Sequence, residues 1–236
     1  MNICILGNSH VGALKRAYDK ISTDYPDIQI TFFAQRGYDL TELDVDNGKL
    51  VANSDVLRQA IMFTSGGIDS IAPESYDIFL IYALGTKPNF VAPGIYYSSQ
   101  VKELALADIA NNSAAMNLIK KIRCLTDKPI YLGHDPLPAG QSNDVPADDH
   151  GMYIDGIKKI NDHIYQKLNV KLLMQPLETL VSWNRTNINF SSGSERLAVG
   201  DVSDAQIHPE DDEIHMNDQF GEMWLIAFLR VVQHPG

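Results

Sequence analysis

The segment from Gly7 to Gly12 places a serine where a short apolar stretch gives way to an amphipathic helix. At such a turn, backbone N–H groups and the helix dipole favour a developing negative charge, so Ser9 is a candidate nucleophile. The alternative is that Ser9 only caps the helix, because serine is a favoured N-cap residue. A phosphate site is excluded, because the G-x-G-x-x-G motif is missing and Ala13-Leu14 stands where a phosphate loop needs Lys followed by Ser or Thr.

A carboxylate stands three residues before a histidine near the end of the chain, at Asp212 and His215. With a tight turn between them, the carboxylate can accept a hydrogen bond from the histidine Nδ1–H, which leaves Nε2 free to take a proton from a serine. The alternatives are a solvated acidic run that stabilises the following helix, and a metal site. The residues that could ligate a metal are His208, Glu210, Asp211, Asp212 and His215. Their spacing matches no tight ligand motif, so we expect neither a metal nor another cofactor.

Apolar runs alternate with helical periodicity along the chain. Apolar stretches at residues 2–6, 29–33, 76–82, 129–132 and 170–174 predict strands, and periodic stretches at 14–21, 99–124, 154–168 and 220–231 predict helices. Strands that alternate with helices form a parallel sheet with helices on both faces, so we predict an α/β fold. Such sheets bind ligands at the carboxyl ends of their strands, which is where Ser9 falls.

The composition is that of one globular domain, which we place at residues 1–236. The chain carries 19 Lys and Arg against 30 Asp and Glu, and its net charge of -11 argues against nucleic acid as a partner. No apolar run approaches the roughly 18 residues of a membrane helix, and the first residues lack the features of an export signal. We therefore expect a cytoplasmic protein without a membrane partner; the oligomeric state is left open. Cys4 and Cys124 are expected to be reduced core residues, and residues 48–73 and 183–204 to be long loops or small insertions.

Ser9 and the Asp212–His215 pair lie at opposite ends of the chain, and together they resemble a known family. Residues 7–10, Gly-Asn-Ser-His, resemble the first sequence block of the SGNH/GDSL hydrolase superfamily, whose usual form is G-D-S, and residues 212–215 resemble its last block, D-x-x-H. The resemblance implies a three-layer α/β/α sandwich with a flavodoxin-like sheet of about five parallel strands in the order 2-1-3-4-5. It also implies Ser9 as nucleophile, His215 as base and Asp212 as the partner that orients the histidine.

The middle blocks of the superfamily supply an oxyanion hole. Gly37, after the second predicted strand, matches the glycine of the second block, whose N–H would join that of Ser9 in the hole. The third block is usually G-x-N-D, but here Gly85 is followed by Thr-Lys-Pro and then by Asn89, so the asparagine comes two residues late. Three possibilities stay open: Asn89 reaches the hole through a bulged loop, Lys87 or a backbone N–H replaces it, or this donor is absent.

Other polar and aromatic residues lie near the predicted strand ends. Asn8 is expected to hydrogen-bond locally, and His10 to belong to the helix start or to a pocket wall. The segment from His134 to Pro136 is expected to form a turn. Aromatic residues of the candidate rim loops are Tyr38, Phe90, Tyr96, Tyr97 and Trp183. Among them we expect Tyr38 and Phe90 to contact substrate.

These residues predict a serine esterase that hydrolyses a small acyl ester through an acyl-enzyme on Ser9. The expected substrate is an acetyl ester of a sugar or another polar alcohol, and it follows from the resemblance, since members of the superfamily deacylate carbohydrates, lipids and small esters. Two alternatives remain. One is an acyltransferase that uses the same three residues to acylate a carbohydrate, and the other is a non-catalytic carbohydrate-binding relative. In each case the partner is a small molecule or a carbohydrate.

Overall fold

Five parallel strands form the central sheet of the protein, which a computed structural model describes at residues 1–88, 96–141 and 150–234. The strands in these residues are β1 (Asn2–Gly7), β2 (Gln29–Ala34), β3 (Leu43–Asp46), β4 (Lys49–Ala52), β5 (Ser70–Ile71), β6 (Ile78–Tyr82), β7 (Ile130–Gly133), β8 (Ala139–Gly140), β9 (Val170–Leu173), β10 (Leu180–Ser182) and β11 (Arg185–Asn187). The α-helices are α1 (Val11–Ile21), α2 (Asp55–Ser65), α3 (Ser99–Asn111), α4 (Ala114–Arg123), α5 (Gly151–His163) and α6 (Asp218–Gln233).

The central sheet has the strand order β2-β1-β6-β7-β9, which is 2-1-3-4-5 when only its own strands are counted. Every neighbouring pair in it is parallel. The predicted flavodoxin-like sheet is thereby confirmed. Since Gly7 is level with Ala34 on one side and with Tyr82 on the other, the carboxyl ends of β1, β2 and β6 form one edge.

Helices cover both faces of this sheet, because successive side chains of a strand point to opposite faces. Ile3 and Ile5 of β1 pack with the buried residues of α1 and α6. Cys4 and Leu6 pack with those of α2, α4 and α5. The result is the predicted three-layer α/β/α sandwich, in which the near-continuous apolar sequence of β1 is explained by burial on both faces.

Residues 48–73, predicted to be a long loop or a small insertion, contain the regular elements β4, α2 and β5 and are not a loop. Asn47 and Gly48, both with positive φ, make the two-residue turn of the β3–β4 hairpin. The helix α2 then follows, capped at its start by the Ser54 hydroxyl and at its end by left-handed Gly66. The loop alternative is excluded because these Ser, Asn and Gly residues are turn and cap residues, which begin and end regular segments as readily as they form loops.

Two predicted helices differ from the observed ones in their bounds. The stretch 99–124 is broken at Asn112 and Ser113, where the Ser113 hydroxyl accepts a hydrogen bond from the backbone N–H of Met116 and begins α4. The helix predicted to reach residue 168 instead ends at His163 and is followed by a 3-10 turn. The prediction that both cysteines are core residues is wrong for Cys124, which is exposed just after α4, whereas Cys4 is buried and both are free.

Across the described ranges, no helix is both long enough and apolar enough to span a membrane.

Candidate active site

Ser9 lies in the turn between β1 and α1, at the carboxyl edge of the sheet. Its Oγ is 3.0 Å from Nε2 of His215, across 206 positions of sequence. The N-cap of α1 is His10, and no side chain within the described ranges caps this helix. Ser9 is therefore not the capping residue that the alternative interpretation required, and its hydroxyl is left to interact with the histidine.

His215 is held by the carboxylate that the D-x-x-H spacing pointed to. Its Nδ1 lies 2.8 Å from Oδ2 of Asp212. The other oxygen of Asp212 accepts the backbone N–H groups of Ile214 at 2.9 Å and of His215 at 2.8 Å. Burial alone would raise the pKa of the Asp212 carboxyl, but these hydrogen bonds outweigh it and lower that pKa, so the group is an anion at neutral pH. An anion only accepts, which assigns the Nδ1 proton to His215 and leaves Nε2 as the acceptor for the Ser9 hydroxyl.

The loop that carries His215 is tied down on both sides. Before it, the carbonyl of Glu213 accepts a 2.6 Å hydrogen bond from the N–H of Ala139 in β8. After it, the Asn217 side chain caps α6, and its amide donates to the carbonyls of Asn189 and Ser192. These bonds restrict the loop, so the histidine is presented to Ser9 by a rigid segment.

Gly7, at the end of β1 directly before the Asn8-Ser9 turn, is required by close packing. A Cβ on Gly7 would lie 2.5 Å from the carbonyl oxygen of Tyr82 and 2.5 Å from Cγ2 of Val11. No larger residue fits there unless β1 and β6 separate. Asn8, which follows, accepts the backbone N–H of His10 at 3.2 Å through Oδ1. The expectation that Asn8 bonds locally is confirmed.

Two further histidines, His10 and His208, stack on His215, and the contact of His208 with His215 was not predicted from the sequence. The ring of His208 stacks on that of His215 at 3.8 Å and 9°, and the ring of His10 stacks on it at 5.0 Å and 28°. Burial is the largest of the causes that lower the pKa of His10 to about 3 and that of His208 to about 4, so both are neutral at neutral pH. His208 could be recognised from the sequence only as a candidate metal ligand.

The residues predicted for the oxyanion hole are only partly described. Gly37 has a φ of +73° and is exposed in the turn after β2. That turn is anchored by Arg36, which donates to the carbonyl of Leu197 and pairs with Asp201 at 2.7 Å. Asn89, the predicted side-chain donor, and Phe90, a predicted substrate contact, lie outside the described residues.

The turn after β6 has an unusual backbone. Ala83, Leu84 and Gly85 have successive φ values of +66°, +55° and +75°. Left-handed conformations cost about 1–2 kcal/mol for each residue with a side chain, and tertiary contacts must stabilise them. One such contact is a 3.1 Å hydrogen bond from the Gly85 N–H to Asp135 Oδ1. Burial raises the pKa of Asp135 to about 6, against the effects of that hydrogen bond and of Lys87.

A cavity of about 450 Å³ is lined by the two sequence neighbours of Ser9, Asn8 and His10, and by the sequence neighbour of His215, Ile214. Its lining is Asn8, His10, Tyr38, Lys87, Pro88, Asp135, Pro136, Leu137, Pro138, Trp183, Asn184 and Ile214. The predicted rim positions of Tyr38 and Trp183 and the pocket-wall position of His10 are thus confirmed. The volume is in the range of small-molecule sites, and the lining mixes polar, aromatic and aliphatic groups.

One group of side chains in the described residues could hold a metal ion. Nitrogen and oxygen atoms of His208, Asp212 and His215 lie within 4.8 Å of one another. Two imidazoles and a carboxylate are a donor set that Zn²⁺ accepts. In the structure, Asp212 Oδ2 is hydrogen-bonded to His215 Nδ1 at 2.8 Å, His215 Nε2 is hydrogen-bonded to Ser9 Oγ at 3.0 Å, and His208 Nδ1 lies 3.2 Å from the same Oδ2. The geometry is complete as a hydrogen-bonded array.

Comparison of the sequence with protein-family models and with curated proteins gives no match. Among solved structures, a gut microbial diltiazem-metabolizing enzyme aligns at 13% identity over 78% of this chain, with a TM-score of 0.32. The chain spans 36% of that enzyme. A water-forming NADH oxidase from Lactobacillus brevis aligns at 15% identity over 73% of this chain and 46% of its own, with a TM-score of 0.18. TM-scores this low carry no argument about fold or function.

Proposed function

We propose that the protein is a serine esterase of the SGNH/GDSL type, in which Ser9 is the nucleophile, His215 the general base and Asp212 its orienting partner. The observation that carries the proposal is the continuous array from Ser9 Oγ to His215 Nε2, at 3.0 Å, and from His215 Nδ1 to Asp212 Oδ2, at 2.8 Å. Both distances are within the range that proton transfer and tautomer control require. The sequence neighbours of Ser9 and His215 line a cavity, and Ser9 lies at the carboxyl edge of a parallel sheet, where such folds bind ligands.

In the proposed reaction, His215 takes the proton of Ser9 as Oγ attacks the ester carbonyl carbon. The negative charge then moves to the carbonyl oxygen, where the N–H groups of Ser9 and Gly37 stabilise it, with Asn89 as a third donor. The protonated His215 gives its proton to the leaving alcohol as the tetrahedral intermediate collapses to an acyl-enzyme. Water, deprotonated by His215, attacks the acyl-enzyme; the bond between Ser9 Oγ and the acyl carbon then breaks, and His215 returns the proton to Oγ as the acid leaves. Asp212 stays ionised throughout and stabilises the imidazolium.

The proposed substrate is a small acyl ester of a polar alcohol such as a sugar. The cavity offers an aromatic ring on which a sugar can stack, Trp183, and polar side chains that can bond hydroxyl groups, Asp135 and Asn184. Its volume of about 450 Å³ accommodates such an ester and leaves little room for a long acyl chain.

The test combines an active-site probe with a series of p-nitrophenyl esters from acetyl to decanoyl. Wild type, Ser9→Ala and His215→Ala are compared after circular dichroism has shown that all three are folded. We expect a fluorophosphonate to label the wild type and not Ser9→Ala, and acetyl ester hydrolysis to be lost in both variants. The matched control is His163→Ala, which removes an exposed histidine at the end of α5 and should leave hydrolysis unchanged.

A folded wild type that neither reacts with the probe nor hydrolyses any ester would overturn the proposal. A wild type that is labelled, but transfers the acyl group to an added sugar faster than to water, would replace the esterase with an acyltransferase that uses the same residues.

A further inference from the structure

Three imidazole rings stand in one column beside Ser9, with His215 in the middle. The His208 ring is nearly parallel to it, at 3.8 Å and 9°, so the two rings are in direct contact over one face. The His10 ring covers the other face at 5.0 Å and 28°. A ring packed on both faces can rotate only by displacing its neighbours, so the column restricts the orientation of the His215 imidazole.

His208 also shares the carboxylate of His215. Its Nδ1 lies 3.2 Å from Oδ2 of Asp212, the same oxygen that accepts from His215 Nδ1. Because His208 is neutral and the carboxylate only accepts, the single ring proton of His208 belongs on Nδ1. Its Nε2 is buried without a hydrogen-bond partner among the described residues. The polar interaction of this side chain is therefore directed to Asp212 alone.

The backbone holds His208 in this place independently of the proposed catalytic residues. Its N–H donates to the carbonyl of Ser194 at 2.8 Å, and the preceding residue, Ile207, forms a β-bridge with Glu195. The side chain is only 9% exposed. Burial of this side chain costs free energy, because its Nε2 loses a hydrogen bond to water and gains no partner within the described part of the chain. The buried position is therefore held by other contacts, such as those of the backbone.

We propose that His208 is a positioning residue of this site, which holds the His215 ring in line with Ser9 by stacking on it, with its Nδ1 3.2 Å from the Asp212 oxygen that accepts from His215. The role rests on the proposed esterase function, since it acts through His215. The His208 Nδ1 also faces Asp212 Oδ2 at 3.2 Å, so the His208 ring packs against the carboxylate as well as against the imidazole that the carboxylate orients. The stack meanwhile prevents the ring from rotating out of reach of Ser9 Oγ.

Three variants separate the two contributions of His208. His208→Ala removes the ring and the donor, His208→Phe keeps a ring that can stack, and His208→Gln keeps an N–H that can reach Asp212. We expect His208→Ala to lower kcat for p-nitrophenyl acetate about 10-fold or more with KM unchanged, because small displacements of reacting groups are costly. His208→Phe and His208→Gln should each recover part of this loss. His163→Ala is the matched control.

A second measurement does not depend on esterase activity. In proton NMR of the folded wild type, the hydrogen-bonded Nδ1–H of His215 should give a low-field signal that Asp212→Ala removes. In His208→Ala, that signal should exchange with water faster or broaden. This keeps the two proposals distinguishable: loss of the NMR effect overturns the positioning role, whereas an intact NMR effect without any ester hydrolysis overturns the esterase alone.

The kinetic results also decide between positioning and simple packing. If His208→Ala lowers only the melting temperature, and its folded fraction keeps the wild-type kcat, the residue stabilises the loop and does not position His215. The same conclusion follows if neither His208→Phe nor His208→Gln recovers any activity relative to His208→Ala.

Discussion

Helix α6 meets helix α1 through Gly221, and this contact sets the distance between the two ends of the candidate site. Ser9 lies two residues before α1, and His215 lies three residues before α6. A Cβ placed on Gly221 would stand 2.4 Å from the carbonyl oxygen of Ala13 and 2.9 Å from its Cβ. Because the nearest atom belongs to the backbone, the clash cannot be relieved by a side-chain rotation. Gly221→Ala should therefore push the two helices apart.

The size of the effect follows from three magnitudes. Ordinary contact begins at 3.4 Å, so the oxygen now at 2.4 Å must move by about 1 Å. Overpacking of this kind costs about 1–3 kcal/mol, and here the upper end applies because backbone atoms are involved. Alanine has a higher helix propensity than glycine, which stabilises the folded protein by about 1 kcal/mol. The net loss in the free energy of unfolding is then about 2 kcal/mol, which corresponds to a drop of roughly 4–8 °C in the melting temperature.

The same displacement should change the distance between Ser9 and His215. If α6 carries His215 with it, the 3.0 Å separation between Ser9 Oγ and His215 Nε2 grows toward 4 Å. A misplacement of about 1 Å can lower a rate about 100-fold. We therefore expect Gly221→Ala to lose activity at temperatures well below its melting point, mainly in kcat.

The assay is thermal unfolding followed by circular dichroism, together with ester hydrolysis at 20 °C, for wild type, Gly221→Ala and a control. Glu222→Ala is the control, because it changes the neighbouring position of the same helix without adding an atom to the interface. A melting temperature of Gly221→Ala at or above that of the wild type would refute the packing argument. Destabilisation with an unchanged kcat would refute the coupling of helix separation to the site.

Three further predictions follow from single groups. Asp212→Asn should keep the fold but lower kcat about 10³–10⁴-fold, because an amide NH₂ facing His215 favours the wrong tautomer; activity within 10-fold of wild type would contradict this. Burial lowers the pKa of His134 to about 4, whereas a histidine in the unfolded chain has a pKa of about 6.5. As the pH drops from 6.5 to 4, the unfolded chain is protonated first, so the free energy of unfolding falls, by about 2 kcal/mol at pH 5. In urea unfolding, the free energy of unfolding of His134→Gln should depend less steeply on pH than that of the wild type. An equal dependence on pH would contradict this prediction. Burial raises the pKa of Cys4, so a thiol reagent should label exposed Cys124 in the native protein and reach Cys4 only after unfolding, as mass spectrometry of the modified peptides would show.

The order of strands and helices could be read from the sequence because the period of apolar residues is a local property. The run in β1 is apolar on both faces, and the stripe of α6 recurs at helical spacing, so each element is specified by its own residues. The predictions that differ from the structure concern residues at the ends of single helices. The cap residues Ser54 and Gly66 of α2 left a long loop open as one of two interpretations, and Cys124 was placed in the core although it lies one position beyond the end of α4.

In the candidate site, too, one contact was predictable from local sequence and the others were not. The spacing of Asp212 and His215 is short, so a tight turn is enough to bring the carboxylate to Nδ1, and the pair could be predicted from the sequence. The 3.0 Å contact with Ser9 spans 206 positions, and only the packing of α6 on α1 brings it about. His208 is seven residues from His215 in an irregular loop, where spacing implies no contact. Its stacking was decided by the loop that joins Glu195 to Ile207, because in such a loop only long-range hydrogen bonds determine where a side chain lies.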